Sequence, residues 1–229
     1  MGGIASPGGE SAESRQGPFS LPGDGLLFET ATSLQERMRR RELSASELID
    51  AAWSQVRRLN PTINALVTER EEESRVEARQ ADAAMARDMP LGPLHGLPFT
   101  VKDLIATAGV KTTAGSLVLK DYVPRVSAPV VSRLQAAGAI LMGKSNCPEF
   151  GLDLHTSNRI FGDTWNPWNN RFTSGGSSGG DSAAVSAGMA TFGVGTDYGG
   201  SIRFPAHCTG LACLRPTPGI VPGTGQLPY

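Results

Sequence analysis

Two serines stand within an unusually glycine-rich stretch of this 229-residue chain. Ser177 lies in the sequence GGSSGG and Ser201 in DYGGSIRFP, and nine glycines occur from Gly175 to Gly200. Glycines at this density indicate tight turns or a close approach of the backbone to another group. Such turns also place several backbone N–H groups around one point, which suits a developing oxyanion. Composition alone favours plain tight turns in an α/β protein, and a site built on a nucleophilic serine is the alternative.

A serine nucleophile needs a base, and the chain offers few. It has three histidines, at positions 95, 155 and 207, and four lysines, at positions 102, 111, 120 and 144. Lys102 ends the apolar run LPFTV, which predicts a buried strand, and burial favours the neutral amine of a lysine. Lys102 is therefore the candidate base, while a buried ion pair with Asp103 is the alternative interpretation.

Two other interpretations of the glycine-serine segment remain open. The pattern G-x-S-x-G occurs at residues 175–179, and Asp197 and His207 could complete the Ser-His-Asp triad of an esterase. That pattern requires a strand directly before it, but the preceding WNPWNNRFTS is rich in residues that break strands. A glycine-rich turn before a helix can also form a nest that binds phosphate or a nucleotide.

Alternating strands and helices must position these residues. A first helical segment begins near Thr32. A second helix is predicted to start at the capping-box pattern of Ser44 and Glu47 and to end at Pro61. Residues 69–88 predict a third helix that is mostly solvated. Short apolar runs then predict three buried strands with helices between them: strand 97–105, helix 128–137, strand 139–144, helix 181–190 and strand 191–196. This alternation predicts an α/β fold with a largely parallel sheet.

Composition and charge exclude several classes of function. The 21 basic and 22 acidic residues give a net charge of −1, so nothing indicates a nucleic acid or an anionic membrane as partner. No apolar run has the length of a membrane span, and the three cysteines (147, 208 and 213) lack the spacing of a disulfide framework or a zinc site. We expect a cytoplasmic protein in which a disordered tail, residues 1–25, precedes one domain, residues 26–229.

Longer motifs around these residues resemble the amidase signature family. They are GLPFTVKDLI, GKSNCPEFG, FGDTWNPWN and GGSSGGDSAAVSAGMATFGVGTDYGGSIRFPA, and the resemblance covers roughly residues 30–220. It implies a mixed, mostly parallel sheet between helical layers, and a Ser–cis-Ser–Lys triad that hydrolyses small amides without a metal or a cofactor. It further implies that Ser201 is the nucleophile, that Ser177 is the bridging serine after a cis bond to Gly176, and that Lys102 is the base.

The resemblance also assigns supporting roles. The oxyanion-hole stretch of the family falls on the backbone N–H groups of Tyr198, Gly199, Gly200 and Ser201. Asp197 and Arg203 match positions that we expect to hold this loop rather than to react. Together these roles imply a relay, in which the neutral lysine takes a proton from the bridging serine, which takes one from the nucleophile.

Four positions depart from the family pattern. Phe204 stands where tRNA-dependent amidotransferase subunits usually carry Gln, and Pro148 stands where they usually carry Asp, which favours a stand-alone amidase. Asp181 replaces a small residue and places a charge close to the triad, and Cys213 replaces a glycine. None of these changes removes a catalytic group.

Family chains also continue well beyond the length of this one. We therefore expect the N-terminal portion of the amidase domain, apparently truncated at its C-terminus, with the triad present and the substrate pockets mostly absent. On this basis the sequence predicts poor solubility and little or no amidase activity for the 229-residue chain alone.

Overall fold

The computed structural model of the protein describes residues 25–227. Within this range the helices are α1 (Ala31–Arg39), α2 (Ala45–Ile63), α3 (Glu71–Ala86), α4 (Pro129–Ala136), α5 (Gly179–Ser186) and α6 (Arg203–Thr209). The strands are β1 (Leu66–Glu69), β2 (Pro98–Lys102), β3 (Ile140–Ser145), β4 (Ser157–Asn158), β5 (Gly162–Asp163) and β6 (Phe192–Val194). The predicted tail, residues 1–25, lies outside the described residues except for Gly25, which begins a short 3₁₀ turn. No helix in the described range has the length and apolar character needed to cross a membrane.

Four strands form one sheet in the order β1-β3-β2-β6. Strand β2 lies between β3 and β6 and is parallel to both, whereas β1 is antiparallel to β3. This arrangement confirms the mixed, mostly parallel sheet with flanking helices. The sequence did not predict β1, because it has only four residues and only Leu66 among them is fully buried. Strands β4 and β5 form a separate antiparallel hairpin.

Helix α2 shows where the local sequence signals hold and where they fail. The predicted capping box is present, since Ser44 and Glu47 each accept a hydrogen bond from the other's backbone N–H. The prediction that Pro61 ends the helix is wrong, because α2 continues to Ile63 and is capped by Asn64 in the left-handed conformation. Proline removes one helical hydrogen bond, and in the last turn the burial of the Ile63 side chain in the core offsets that loss.

Apolar side chains cover both faces of the sheet. Ile140 and Met142 of β3 belong to a core cluster with α2 and α5, and Leu141 between them belongs to a second cluster with α4. This alternation follows from the two-residue period of a strand. On the first face, Trp53 of α2 is fully buried and its indole N–H donates to Ser74 Oγ of α3 (2.7 Å), so Trp53 is the core residue that its helical spacing indicates.

The carboxyl ends of the parallel strands meet at one edge of the sheet. Lys102 is the last residue of β2 and Ser145 the last residue of β3. Val194 is the last residue of β6, which lies next to β2. Ligands of parallel α/β sheets bind at this edge, because the loops that follow the strands surround it. The loop after β6 carries residues 195–202, and the helix that follows the GGSSGG turn, α5, packs against β2 and β6.

Candidate active site

Lys102 occupies the carboxyl end of β2 and is fully buried. Its Nζ donates hydrogen bonds to Ser177 Oγ (2.6 Å) and to Thr196 Oγ1 (2.9 Å). The contact with Ser177 joins two of the three residues that the sequence predicts to react. The alternative of an ion pair with Asp103 is not what the structure shows, because the Asp103 carboxylate accepts hydrogen bonds from Thr113 instead.

The charge of Lys102 is controlled chiefly by its burial. Loss of solvation disfavours the ammonium and lowers the pKa of Lys102 to about 8, while Cys147, Asp181 and Asp197 oppose this shift. A pKa of about 8 leaves about a tenth of the molecules with a neutral amine at pH 7. Lys102 is thus able to accept a proton from Ser177 at a pH near neutrality.

Ser177 is held by an uncommon backbone conformation. The peptide bond between Gly176 and Ser177 is cis, as the family resemblance implies. Gly176 has no room for a side chain, since a Cβ there would lie 2.8 Å from the backbone of Leu154. Gly151, at a φ of +71°, closes the other side, where a Cβ would lie 3.3 Å from Ser177 Oγ. Gly176 therefore allows the Leu154 backbone to pack against the turn, and Gly151 allows its own backbone to approach the Ser177 hydroxyl.

Asp197 organises the loop that carries Ser201. Its side chain is 1% exposed and accepts hydrogen bonds from the backbone N–H groups of Gly200, Ile202 and Arg203 and from the Arg203 guanidinium. Burial raises the pKa of Asp197, but these hydrogen bonds outweigh burial and hold the pKa well below its usual range. Asp197 is therefore a fixed anion whose oxygens are all engaged.

Ser201 and the bridging serine share a cleft of about 710 Å³. The backbone N–H of Ser178 donates to the carbonyl of Ser201 (3.0 Å), which holds the two segments side by side. The expected relay needs two contacts, one between Lys102 and Ser177 and one between Ser177 and Ser201. The structure contains the first, but within residues 25–227 the Ser201 hydroxyl makes no hydrogen bond. Apolar side chains line much of the cleft: Leu104, Phe150, Leu152, Leu154 and Leu227.

The backbone donors beside Ser201 are not all available. The Gly200 N–H, which the resemblance places in the oxyanion-hole stretch, already donates to Asp197 Oδ1 (2.9 Å). The N–H groups of Tyr198, Gly199 and Ser201 make no hydrogen bond within the described range, and the Tyr198 side chain is almost fully exposed. Three of the four expected donors thus remain free to bind an oxyanion.

Comparison with protein families connects this geometry to known enzymes. A family model described as Amidase matches residues 47–229. The chain belongs to the amidase family. The resemblance seen in the sequence motifs is therefore confirmed, and it includes the segment that carries Lys102, Ser177 and Ser201.

The curated relatives of this amidase-family chain include amidotransferase subunits. It is 41% identical over 204 residues to a glutamyl-tRNA(Gln) amidotransferase subunit from Heliobacterium modesticaldum, and 44% identical over 200 residues to the corresponding protein of a Roseiflexus species. These alignments cover 89% and 87% of the chain. The chain spans only 42% and 41% of the two relatives' own lengths.

Solved structures of amidases have the same fold. A peptide amidase in complex with the inhibitor chymostatin superimposes with a TM-score of 0.82 at 33% identity, covering 87% of this chain and 42% of that one. A bacterial aryl acylamidase of the amidase signature family superimposes with a TM-score of 0.77 at 32% identity, covering 80% of this chain and 38% of that one. The similarity thus extends from the motifs to most of the described fold.

The structure does not bring together the residues of the Ser-His-Asp alternative. Asp197 is engaged by its own loop and by Arg203, and His207 lies in the last turn of α6 with an exposed side chain. No hydrogen bond joins the two side chains within residues 25–227. The segment before Ser177 is also irregular, with a single β-bridge at Thr173, rather than the strand that a G-x-S-x-G turn requires.

Four of the six amides in the turn that a phosphate nest would use are already engaged. In the GGSSGG turn, the N–H groups of Gly175, Ser178, Gly179 and Gly180 donate to Thr173 Oγ1, the Ser201 carbonyl, Thr156 Oγ1 and the Asn146 carbonyl. A nest binds an anion through amides that point at it without an internal partner. Engaged amides of this kind support the interpretation in which the turn serves to place Ser177.

Two residues of the site escaped sequence analysis. Thr196 shares the Lys102 amine with Ser177, and Gly151 lies against Ser177 Oγ. A polar residue just beyond a parallel strand is a signal that could have identified Thr196, since β6 ends two residues before it, although β6 is half-buried rather than buried as the sequence predicts. Gly151 is far from the glycine-serine segment in sequence and reaches Ser177 only through the tertiary fold.

Proposed function

We propose that the whole protein hydrolyses a carboxylic amide through an acyl-enzyme on Ser201. The observation that carries this proposal is the 2.6 Å contact between Lys102 Nζ, fully buried at the end of β2, and Ser177 Oγ beside the cleft that Ser201 lines. Membership of the amidase family supports the same chemistry. Because the chain spans 42% of the length of a curated relative, the activity is proposed for the protein to which this chain belongs.

The reaction begins with a transfer of two protons. The neutral amine of Lys102 accepts the hydroxyl proton of Ser177, and Ser177 accepts that of Ser201, whose Oγ attacks the amide carbonyl. The carbonyl oxygen becomes an oxyanion, for which the free N–H groups of Tyr198, Gly199 and Ser201 are the available donors. The relay then works in reverse, so that the amine leaves with a proton when the C–N bond breaks. Water attacks the acyl-enzyme by the same route and releases the acid.

Asp197 and Arg203 serve this reaction by shaping the loop. Without Asp197, the three backbone N–H groups that it binds would be left to bind water or the oxyanion. Because Asp197 fixes these groups, it also sets the direction in which the neighbouring amides point. Neither side chain takes or gives a proton in the proposed mechanism. We therefore assign them a structural role.

The substrate that we propose is a small-molecule amide. The curated relatives named above are tRNA-dependent amidotransferase subunits, whereas the solved relatives are a peptide amidase and an aryl acylamidase. Phe204 and Pro148, which depart from the amidotransferase pattern, favour a stand-alone amidase. The proposed chemistry needs only side chains and backbone amides of this chain.

A fluorophosphonate probe tests the assignment, because it reacts with an activated serine without needing a substrate pocket. We expect the wild-type chain to be labelled at Ser201, and expect Ser201→Ala and Ser177→Ala to abolish or nearly abolish labelling. Ser132→Ala, an exposed serine of α4, is the matched control that should label like the wild type. Labelling that persists in Ser201→Ala contradicts the proposal. A His207→Ala variant that loses more than about a hundredfold in rate supports the histidine-based alternative instead.

A further inference from the structure

Asp181 is a buried carboxyl group that the proposed mechanism does not use. It lies in the first turn of α5, four residues after Ser177, and is 5% exposed. Few carboxyl groups are buried to this extent unless a partner or a function holds them there. The contacts of Asp181 show which part of the site it affects.

One oxygen of Asp181 connects the helix after Ser177 to the strand of Lys102. Its Oδ1 accepts a hydrogen bond from the hydroxyl of Thr100 (2.7 Å), which is fully buried in β2. Thr100 precedes Lys102 by two residues, so both side chains lie on the same face of β2. The hydrogen bond therefore fixes the first turn of α5 against the strand face that presents the Lys102 amine to Ser177.

Gly193 of β6 lies directly against the Asp181 side chain. A Cβ at Gly193 of β6 would lie 2.9 Å from the Asp181 Cβ and 3.1 Å from both Asp181 Oδ1 and Thr100 Oγ1. The second oxygen, Oδ2, is buried without a hydrogen bond of good geometry in the described part of the chain, and the Ser145 hydroxyl at the end of β3 is the further donor that favours the carboxylate. A buried oxygen of this kind is costly unless nearby positive charge compensates it.

That positive charge comes from the sheet. Lys102 from β2 and Lys144 from β3 both act on Asp181, and Cys147 after β3 and Asp197 after β6 are the other titratable groups that act on Lys102. Burial raises the pKa of Asp181 to about 6, against the hydrogen bonds from Thr100 and Ser145 and the charges of the two lysines. In the other direction, the carboxylate of Asp181 favours the ammonium form of Lys102.

We propose that Asp181 is a positioning residue for the Lys102–Ser177 pair, which it serves by fixing α5 to β2 through Thr100 and by placing a negative charge near the Lys102 amine. This inference rests on the proposed function, because it concerns the base of that reaction. Burial alone makes the amine a weak base, and the carboxylate restores part of its basicity. Lys102 is then able both to take a proton and to return it at a pH near neutrality.

Lysine NMR tests the charge effect without requiring turnover. The chain has four lysines, at positions 102, 111, 120 and 144, so a protein made with ¹³C,¹⁵N-lysine gives four side-chain signals, and a Lys102→Arg variant identifies that of Lys102. In Asp181→Asn, which keeps an oxygen for Thr100 and removes the charge, we expect the titration midpoint of Lys102 to fall by about 1 pH unit. The signals of the exposed Lys111 and Lys120 should superimpose between wild type and variant.

The positioning effect is tested separately at Thr100. Thr100→Val keeps the shape and the charge of the site but removes the donor, and we expect it to slow fluorophosphonate labelling of Ser201 about tenfold, with recovery in Thr100→Ser. If Asp181→Asn does not melt cooperatively, Asp181→Ser takes its place in the titration, because the serine variant also removes the charge.

The outcomes separate this inference from the proposed function. A Lys102 midpoint that is unchanged in Asp181→Asn overturns the role of Asp181, whatever the labelling of Ser201 shows. Labelling that persists in Ser201→Ala overturns the proposed nucleophile but leaves the titration of Lys102 interpretable. A lower midpoint together with slower labelling in Thr100→Val supports both parts of the inference.

Discussion

Lys102 and Lys144 are two fully buried lysines on neighbouring strands for which we propose different roles. Val101 pairs with Lys144 across β2 and β3, so Lys102, the next residue, points to the opposite face of the sheet. Burial lowers the pKa of each lysine to about 8. By burial and by pKa the two amines are equal, and neither property identifies the base.

The partners of the two amines distinguish them. Lys144 Nζ donates to the carbonyl of Ile105 and to the hydroxyls of Thr107 (3.0 Å) and Thr112 (3.2 Å), with the charge of Asp103 nearby. The Ile105 carbonyl has no proton to give, and the two threonine hydroxyls donate theirs to the carbonyls of Ile105 and Val110, so these partners hold Lys144 as a donor. The partner of Lys102 beside the cleft is Ser177, whose hydroxyl can lose a proton. On our proposal, the chemistry of the partner, rather than burial, distinguishes the base from a structural cation.

Removal of the Lys102 amine should give the largest effect on reactivity. We expect Lys102→Met to lower the rate of fluorophosphonate labelling of Ser201 by about 10²–10⁴-fold, since it removes the base. Lys102→Arg should be similarly inactive, because a guanidinium remains charged. Mass spectrometry of the labelled peptide, normalised to folded protein, measures the rate. A Lys102→Arg variant with most of the wild-type rate would show that Lys102 is only a structural cation.

Removal of the Lys144 amine should instead affect stability. We expect Lys144→Met to lower the free energy of unfolding by about 3 kcal/mol, because the Ile105 carbonyl and two threonine hydroxyls lose their donor and Asp103 loses its countercharge. Urea unfolding monitored by tryptophan fluorescence measures this loss. Labelling of Ser201 per folded molecule should stay within a few-fold of wild type. A large loss of labelling in folded Lys144→Met would remove the distinction between the two lysines.

Both lysines should make the protein more stable at alkaline pH. Each amine has a lower pKa in the folded state, about 8, than the ordinary value of 10.5, so the unfolded chain binds more protons between these values and stability rises with pH. From pH 7.5 to pH 9 we expect a gain of about 2 kcal/mol in the free energy of unfolding. Urea titrations at the two pH values measure it, and each Lys→Met variant should lose part of the gain. A fall in stability over this interval contradicts the assignment of buried, readily deprotonated amines.

The smallest effect is expected at the second partner of Lys102. Thr196→Val removes the hydroxyl that orients the amine beside Ser177 and should slow Ser201 labelling about tenfold, with little change in stability. Thr196→Ser retains the hydroxyl and serves as the matched control. Equal rates for the two variants would mean that Ser177 alone places the Lys102 amine.

Local sequence patterns were sufficient for the parts of the molecule that local physics controls. The apolar run before Lys102 predicted the buried strand, and the capping box of Ser44 and Glu47 predicted the start of α2. The continuation of α2 past Pro61 was missed, because the compensating burial of Ile63 comes from tertiary packing. Strand β1 was missed as well, since its place at the edge of the sheet depends on pairing with β3, which lies far along the chain.

The same division applies to the candidate site. The motifs identify Lys102 and Ser177, whose contact the structure contains. They give no indication that Asp197 accepts a hydrogen bond from the Gly200 N–H, or that Thr196 accepts one from the Lys102 amine. Both contacts depend on how the loop after β6 folds back. The sequence placed a charge near the triad at Asp181, but only the structure shows that it is tied to β2 through Thr100.

The pH dependence of Ser201 labelling tests the central claim most directly. If the neutral amine of Lys102 is the base, the labelling rate of the wild-type chain should fall as the pH is lowered through about 8, the pKa to which burial brings Lys102. We expect a single rising curve from about pH 6 to about pH 9.5 with its midpoint near 8, absent in Lys102→Met and retained in Lys144→Met. A rate that is independent of pH over this range, or a rising curve that survives in Lys102→Met, would contradict the account.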